Sequence, residues 1–235
     1  PLALTIISDS LSQNDRVSFL LWGIHMCTET FLRLPEEKRR RFLDAAWAEF
    51  AGARFTDVSV NQIVRRAGIP RGSFYQYFSD KEDLFAYLLE EVRNHIKEEY
   101  RRILKANGGD IFQAQLDCFD HFTAQETALD PMMERCMNFV RNNQGLDIQK
   151  FLPTRPGQRL LDGIWDLTDL SGLRDPSPEY GRIVFCLLMA TLGSACMDAM
   201  LCPEDRALHR EELAAKLEIV KHGSLRIVEN SETFS

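Results

Sequence analysis

Between Phe50 and Leu84 the chain gathers side chains suited to one kind of chemistry. Arg71, Ser73, Gln76 and Tyr77 surround Phe74 and Phe78, which stand one helical turn apart. With both phenylalanines facing a core, the other four fall on the remaining faces of a short helix. There they offer a guanidinium, hydroxyls and an amide to base edges and phosphates, at the right scale for a DNA major groove. Gly68-Ile69-Pro70 breaks the chain just before this helix, and a glycine there can turn left-handed without Cβ strain. Upstream, Ser59 is placed to cap another short helix that carries Ile63, Val64 and Ala67 inward. Two short helices around a tight turn have the dimensions of a helix-turn-helix.

Charge agrees locally, though not globally. The whole chain of 235 residues carries −7, which by itself points away from nucleic acid. Between Pro35 and Ser79, however, eight basic residues face five acids, a window of +3 on a remainder of −10. A basic head on an acidic body is what phosphate neutralisation by one end of a molecule requires. The run Lys38–Arg41 reads mainly as a solvated helix face.

Other elements must hold this segment in place. Pro35-Glu36-Glu37 suits a helix start, and Phe42, Ala46 and Phe50 recur at helical spacing until Gly52. After the cap Ser79-Asp80, Leu84, Phe85, Leu88, Leu89, Val92 and Ile96 draw a long amphipathic helix to about Asn107. Further helices are expected over Ile111 to about Leu129, Pro131–Asn142, Arg155–Leu167, Glu179–Leu201 and from Pro203 to about Lys221. No window sustains an alternation of two, so the fold class is all-α. Residues 1–34 form an N-terminal extension; translation starting at Met26 and a genuine helix around Val17–His25 both fit.

At Ala45-Ala46, Phe50, Phe55, Ser59, Ile63, Ala67-Gly68-Ile69, Gly72, Phe74-Tyr75, Tyr77-Phe78 and Lys81-Glu82-x-Leu84, the segment closely resembles the DNA-binding domain of the tetracycline-repressor (TetR) family. The resemblance implies a three-helix head over residues 35–82, joined to an all-helical ligand-binding and dimerisation body over 83–235. It implies that Ser59 touches phosphate, that Arg71, Ser73 and Gln76 face bases, and that Gly72 lets the backbone approach. Tyr75 and Tyr77 would contact phosphates or bases, and Lys81 would hold a phosphate. Pro70 stands where the family has Ser or Thr, and Val64 where it has alanine.

The body carries two further expectations. Phe119, Phe122, Met133, Met137 and Trp165 are placed to line a cavity for a small apolar effector, with His121 or Asn138 at its polar end. Leu188, Leu192, Gly193 and Cys196, with Leu213 and Leu217, are placed to form a homodimer interface, because a helix apolar on nearly every face must be covered on nearly every face. Asp117, Cys118 and His121 fall within one helical turn but read as ordinary helix, so no metal and no cofactor is expected. Nucleophile-elbow, triad and Gly-rich phosphate-loop spacings are missing, which points away from an enzyme. The apolar run Ile183–Met197 is too short to span a membrane, and Val17–Cys27 makes a poor signal peptide. Six cysteines without a CxxC pair suit a reducing cytoplasm. The expected activity is that of a ligand-responsive regulator, most simply a repressor, binding palindromic double-stranded operator DNA as a dimer. The alternative is a helical adaptor or enzyme on the same scaffold without DNA binding.

Overall fold

The computed structural model describes residues 27–124, 130–151 and 164–225. Nine helices are seen among them: α1 Glu29–Leu32, α2 Glu36–Gly52, α3 Val60–Ala67, α4 Arg71–Tyr77, α5 Lys81–Ala106, α6 Ile111–Phe122, α7 Pro131–Asn142, α8 Pro178–Leu201 and α9 Arg206–Ser224. Short 3-10 turns occupy Phe55–Asp57, Ile148–Phe151, Trp165–Leu167 and Pro203–Asp205. No strand occurs among the described residues beyond one isolated bridge, Leu173 with Leu225. The fold is all-α. The expected helix over Arg155–Leu167 lies mostly outside the described residues, as do the upstream segment around Val17–His25 and the stretch after Ala124.

Two apolar clusters organise the chain. The head cluster is dominated by rings: Phe31, Phe42, Trp47, Phe50, Phe74, Phe78 and Phe85 are all nearly or fully inaccessible. Tilted and edge-on ring pairs at 4.8–6.3 Å knit it together, as aromatic quadrupoles prefer. The body cluster is more aliphatic and includes Tyr100, Phe119, Phe185, Leu188, Leu192, Leu213 and Leu217. Helix α5 contributes to both, with Leu84, Phe85 and Leu88 in the head and Tyr100, Ile103 and Leu104 in the body. The division expected at residues 82 and 83 therefore falls at the start of a single continuous helix.

The head also extends further upstream than Pro35. Phe31 is fully buried against Phe42, Tyr77, Phe78 and Tyr87. Residues 27–34 thus belong to the head, while residues 1–26 lie outside the described part.

Helix α7 seals the seam between the two clusters. Phe139 packs on Phe85 at 4.7 Å. The Asn143 side chain accepts from the Phe55 amide at 2.7 Å, and Asn142 donates to the Ala51 carbonyl. Arg135 pairs with Asp44 at 2.7 Å. Beside them, burial pushes the Glu91 carboxyl up to about 7; Asp44 adds to this, while Arg39, Arg135 and the Tyr87 hydroxyl act against it.

Helix α8 differs from the expectation of a run too short to span. It continues past Asp198 to Leu201, 24 residues in all, and an 18-residue window of mean hydropathy 1.9 makes it long and apolar enough to cross a membrane. In the fold it lies against α6, α7 and α9 and places Val184, Phe185, Leu188, Leu192 and Ala195 in the body core. All six cysteines are free.

Candidate nucleic-acid interface

The tight turn forms at Gly68, whose φ of 67° is left-handed, with the Ile69 amide donating back to the Val64 carbonyl. That is a glycine-capped helix end, and it sets α4 across α3. Pro70 precedes α4 with φ −61°, already suited to a helix start. Asp80 caps α5 by accepting from the Asp83 amide at 2.8 Å, and Asp83 in return accepts from the Ser79 amide. These reciprocal bonds fix where α4 ends and α5 begins.

Helix α4 presents one polar face. Phe74 is fully buried behind it, while Arg71, Gly72, Tyr75 and Gln76 are exposed and Ser73 is half-buried. The Arg71 guanidinium lies 6.0 Å from the Tyr75 ring centre and 3.4 Å from its hydroxyl, so the two side chains brace one another. A side chain at Gly72 would meet nothing within 4 Å, which leaves the backbone there open to a close partner.

Three expected contacts stand differently. Tyr77 is only 8% exposed, with its ring packed on Phe31 and Phe42. It belongs to the head core, because α1 covers the side of α4 on which it stands. Lys81 donates from Nζ to the Phe55 and Thr56 carbonyls at 2.9 and 3.1 Å and sits 5.1 Å from the Phe55 ring centre. Two of its three donors thus pin the turn before α3. Ser59 occupies the cap position of α3, but its side chain makes no capping bond; its amide donates to Glu49 instead.

The body departs further from expectation. Phe119, Phe122 and Met133 are buried, and Met137 and Trp165 pack against the same cluster. These side chains form the core where α6 meets α8 and α9, so they do not stand as the walls of an open cavity. His121 lies 3.0 Å from Glu99, and Asn138 is exposed. The fully buried polar side chain on α6 is Gln115, whose Nε2 donates to the Tyr100 hydroxyl and the Ile111 carbonyl. A surface depression of about 400 Å³ opens at Asp120, Ala124, Pro203, Glu204, Arg206 and Ala207. There Arg206 and Arg210 both close on Asp120, whose carboxyl they hold below the usual range despite its partial burial.

Four of the six residues expected at a dimer interface are likewise interior. Leu188, Leu192, Leu213 and Leu217 are at most 4% exposed and join α8 to α9 within one chain. Gly193 is exposed and Cys196 half-buried. The apolar surface left open on α8 is a different stripe: Ile183, Leu187, Ala190, Met197 and Leu201, with Ser194 among them. On α9, Leu208 and Ile219 are exposed as well. Hydropathy could not single out this stripe, because α8 is apolar all round.

Residues 42–88 match the family model for bacterial regulatory proteins, tetR family. The chain is 39% identical over 72 residues to YdgC, an uncharacterized HTH-type transcriptional regulator of Bacillus subtilis; the match covers 31% of this chain and 37% of that protein. It is 30% identical over 95 residues to an uncharacterized HTH-type regulator of Haemophilus influenzae, covering 39% of this chain and 46% of that one. The chain thus spans less than half the length of these curated relatives. Among solved structures it resembles SmeT, the repressor of the Stenotrophomonas maltophilia multidrug efflux pump SmeDEF, with a TM-score of 0.55 at 20% identity over 83% of this chain and 93% of that one. It also resembles NalD of Pseudomonas aeruginosa, the secondary repressor of the MexAB-OprM multidrug efflux pump, with a TM-score of 0.51 at 21% identity over 82% and 99%. At such identities the likeness is one of fold.

Proposed function

By its residues 42–88 the chain belongs to the tetR family of bacterial regulatory proteins, and on that premise we propose that it represses transcription by laying α4 in the major groove of a palindromic operator as a homodimer. The observation that carries the reading is the exposed Arg71–Gly72–Tyr75–Gln76 face of α4 over a closed aromatic core. Arg71 and Gln76 have the donor and acceptor geometry to read guanine and adenine edges, and Ser73 reaches either a base or a phosphate. Tyr75 contacts the backbone. Ser59 at the start of α3 offers its hydroxyl to phosphate, since no helix bond occupies it. Lys81 keeps one donor for that role after its two carbonyl bonds.

The dimer follows from the bare stripe of α8. Positions 183, 187, 190, 194, 197 and 201 are spaced four, three, four, three and four residues apart, the repeat of a tight helix seam. Gly193 borders it with open space, so a second α8 can approach closely. Pairing α8 and α9 with their symmetry mates makes a four-helix bundle around a two-fold axis, and a two-fold protein reads a palindrome. An apolar effector acts by prising apart the filled body core around Phe119 and Trp165.

Footprinting of the protein on its own upstream DNA, followed by titration of the protected site, tests the reading. Gln76→Ala should weaken the protected site by ~1–3 kcal/mol and relax preference at one base pair. Equal weakening on protected and random DNA would remove Gln76 from base reading.

A further inference from the structure

We propose that Thr28 is a positioning residue for base reading: its hydroxyl and amide fasten the C-terminal end of α4 and so fix how Gln76 is presented. The inference rests on the reading of α4 as the groove helix. A helix of seven residues is too short to hold its own shape, and its last carbonyls have no partner inside it. The Phe78 amide satisfies the Phe74 carbonyl. Two of the carbonyls beyond it are met from outside the helix, both by one residue 48 or more positions upstream. The Thr28 hydroxyl donates to the Gln76 carbonyl at 2.5 Å, and the Thr28 amide donates to the Tyr77 carbonyl at 2.9 Å.

The same hydroxyl also works in the other direction. It accepts from the Phe31 amide at 3.4 Å and thereby caps α1. One oxygen thus ties the start of α1 to the end of α4, donating to one and accepting from the other. Three residues on, the fully buried Phe31 ring packs on Tyr77 at 5.6 Å and Phe78 at 4.8 Å. The two polar bonds and the ring hold α4 at separate points, so the helix can neither unwind at its end nor roll about its axis. Gln76 carries its base-reading amide from the very residue whose carbonyl is held.

Removing the hydroxyl should therefore change what is read before it changes whether DNA is bound. The test uses the full chain with Thr28→Val, which keeps the branched shape, and Thr28→Ser, which restores the hydroxyl. DNA selected by the wild type from a random pool supplies the preferred site, and a scrambled duplex supplies the control. Thr28→Val should lower the preferred-to-scrambled affinity ratio about threefold to tenfold, the range of one hydrogen bond. Scrambled-duplex affinity at low salt should stay within about twofold, and Thr28→Ser should match the wild type. In the DNA-free protein, the Phe78 amide of Thr28→Val should exchange with solvent about threefold to tenfold faster. An unchanged affinity ratio, equal loss on both duplexes, or unchanged Phe78 exchange would each overturn the positioning role alone. A wild type that selects no sequence would overturn the groove reading, and the role with it.

Discussion

Helices α4 and α8 each leave one face uncovered, and the two faces are chemical opposites. The open face of α4 offers a guanidinium, a phenol and an amide, with Arg71, Tyr75 and Gln76 projecting from a short element whose other side is sealed by rings. The open face of α8 offers Ile183 and Leu187, each 52% exposed, on a helix whose other side is equally apolar. A polar face is stable in water and can wait for a partner that comes and goes. An apolar stripe of that length is not comfortable in water and calls for a lasting partner. On the proposed reading, the contrast separates a transient, salt-sensitive contact at α4 from a permanent one at α8.

The comparison breaks most readily through the core behind α4. Phe31→Ala should cost ~3–5 kcal/mol of stability, the range for losing a buried aromatic ring, and thermal unfolding should register it. Loss of much less would mean that residues 27–34 merely lie on the head. Next in size is the α8 stripe. Leu187→Arg should convert the dimer to a monomer in light scattering and abolish binding to a two-half-site operator, while leaving the monomer folded. A wild type of about 27 kDa in solution would remove the contrast altogether.

Lys81→Ala sharpens the polar side. Because Lys81 already holds two carbonyls, the DNA-free protein should lose ~1–2 kcal/mol, within the range for charge-assisted bonds that are partly solvated. A salt slope flattened by about one with no loss of stability would make it a phosphate contact first. A pH-dependent effect is expected at the seam. Glu91 titrates near 4.5 when unfolded and at about 7 when folded. The folded state therefore holds a proton that the unfolded state lacks, and this stabilisation, full below pH 4.5, is lost as pH rises towards 7. Glu91→Gln should flatten the stability profile across that window and raise the unfolding temperature at pH 8. An unchanged profile would place the slope on other groups.

The head was legible because its signals are local. Gly68, Pro70 and Asp80 mark turns by backbone chemistry, and Phe74 and Phe78 mark the inward side of α4 by spacing alone. Tyr77 was misplaced because a third element covers its side: α1 arrives from far upstream, and no periodicity in the segment announces it. The same distance hides Thr28. On α8 the difficulty is different in kind. Leu187 and Leu188 are neighbours of equal hydropathy, and only the position of α9 decides that one is interior and the other bare. Likewise the aromatic and Met residues of α6 and α7 carry no mark that distinguishes a cavity wall from a filled core.

Helix α5 is a member of both cores, and its 26 residues make it a rod of ~39 Å. A rod clamped near each end behaves as a lever. Tilting it by ~5° about its body end displaces the head end by ~3 Å, close to the rise of one base pair. In a dimer the two levers move in mirror fashion about the axis, so the separation of the two α4 helices changes by up to twice that amount. A disturbance among Tyr100, Ile103 and Leu104 too small to alter the body's outline would thus shift the register between two half-sites by more than a hydrogen bond tolerates.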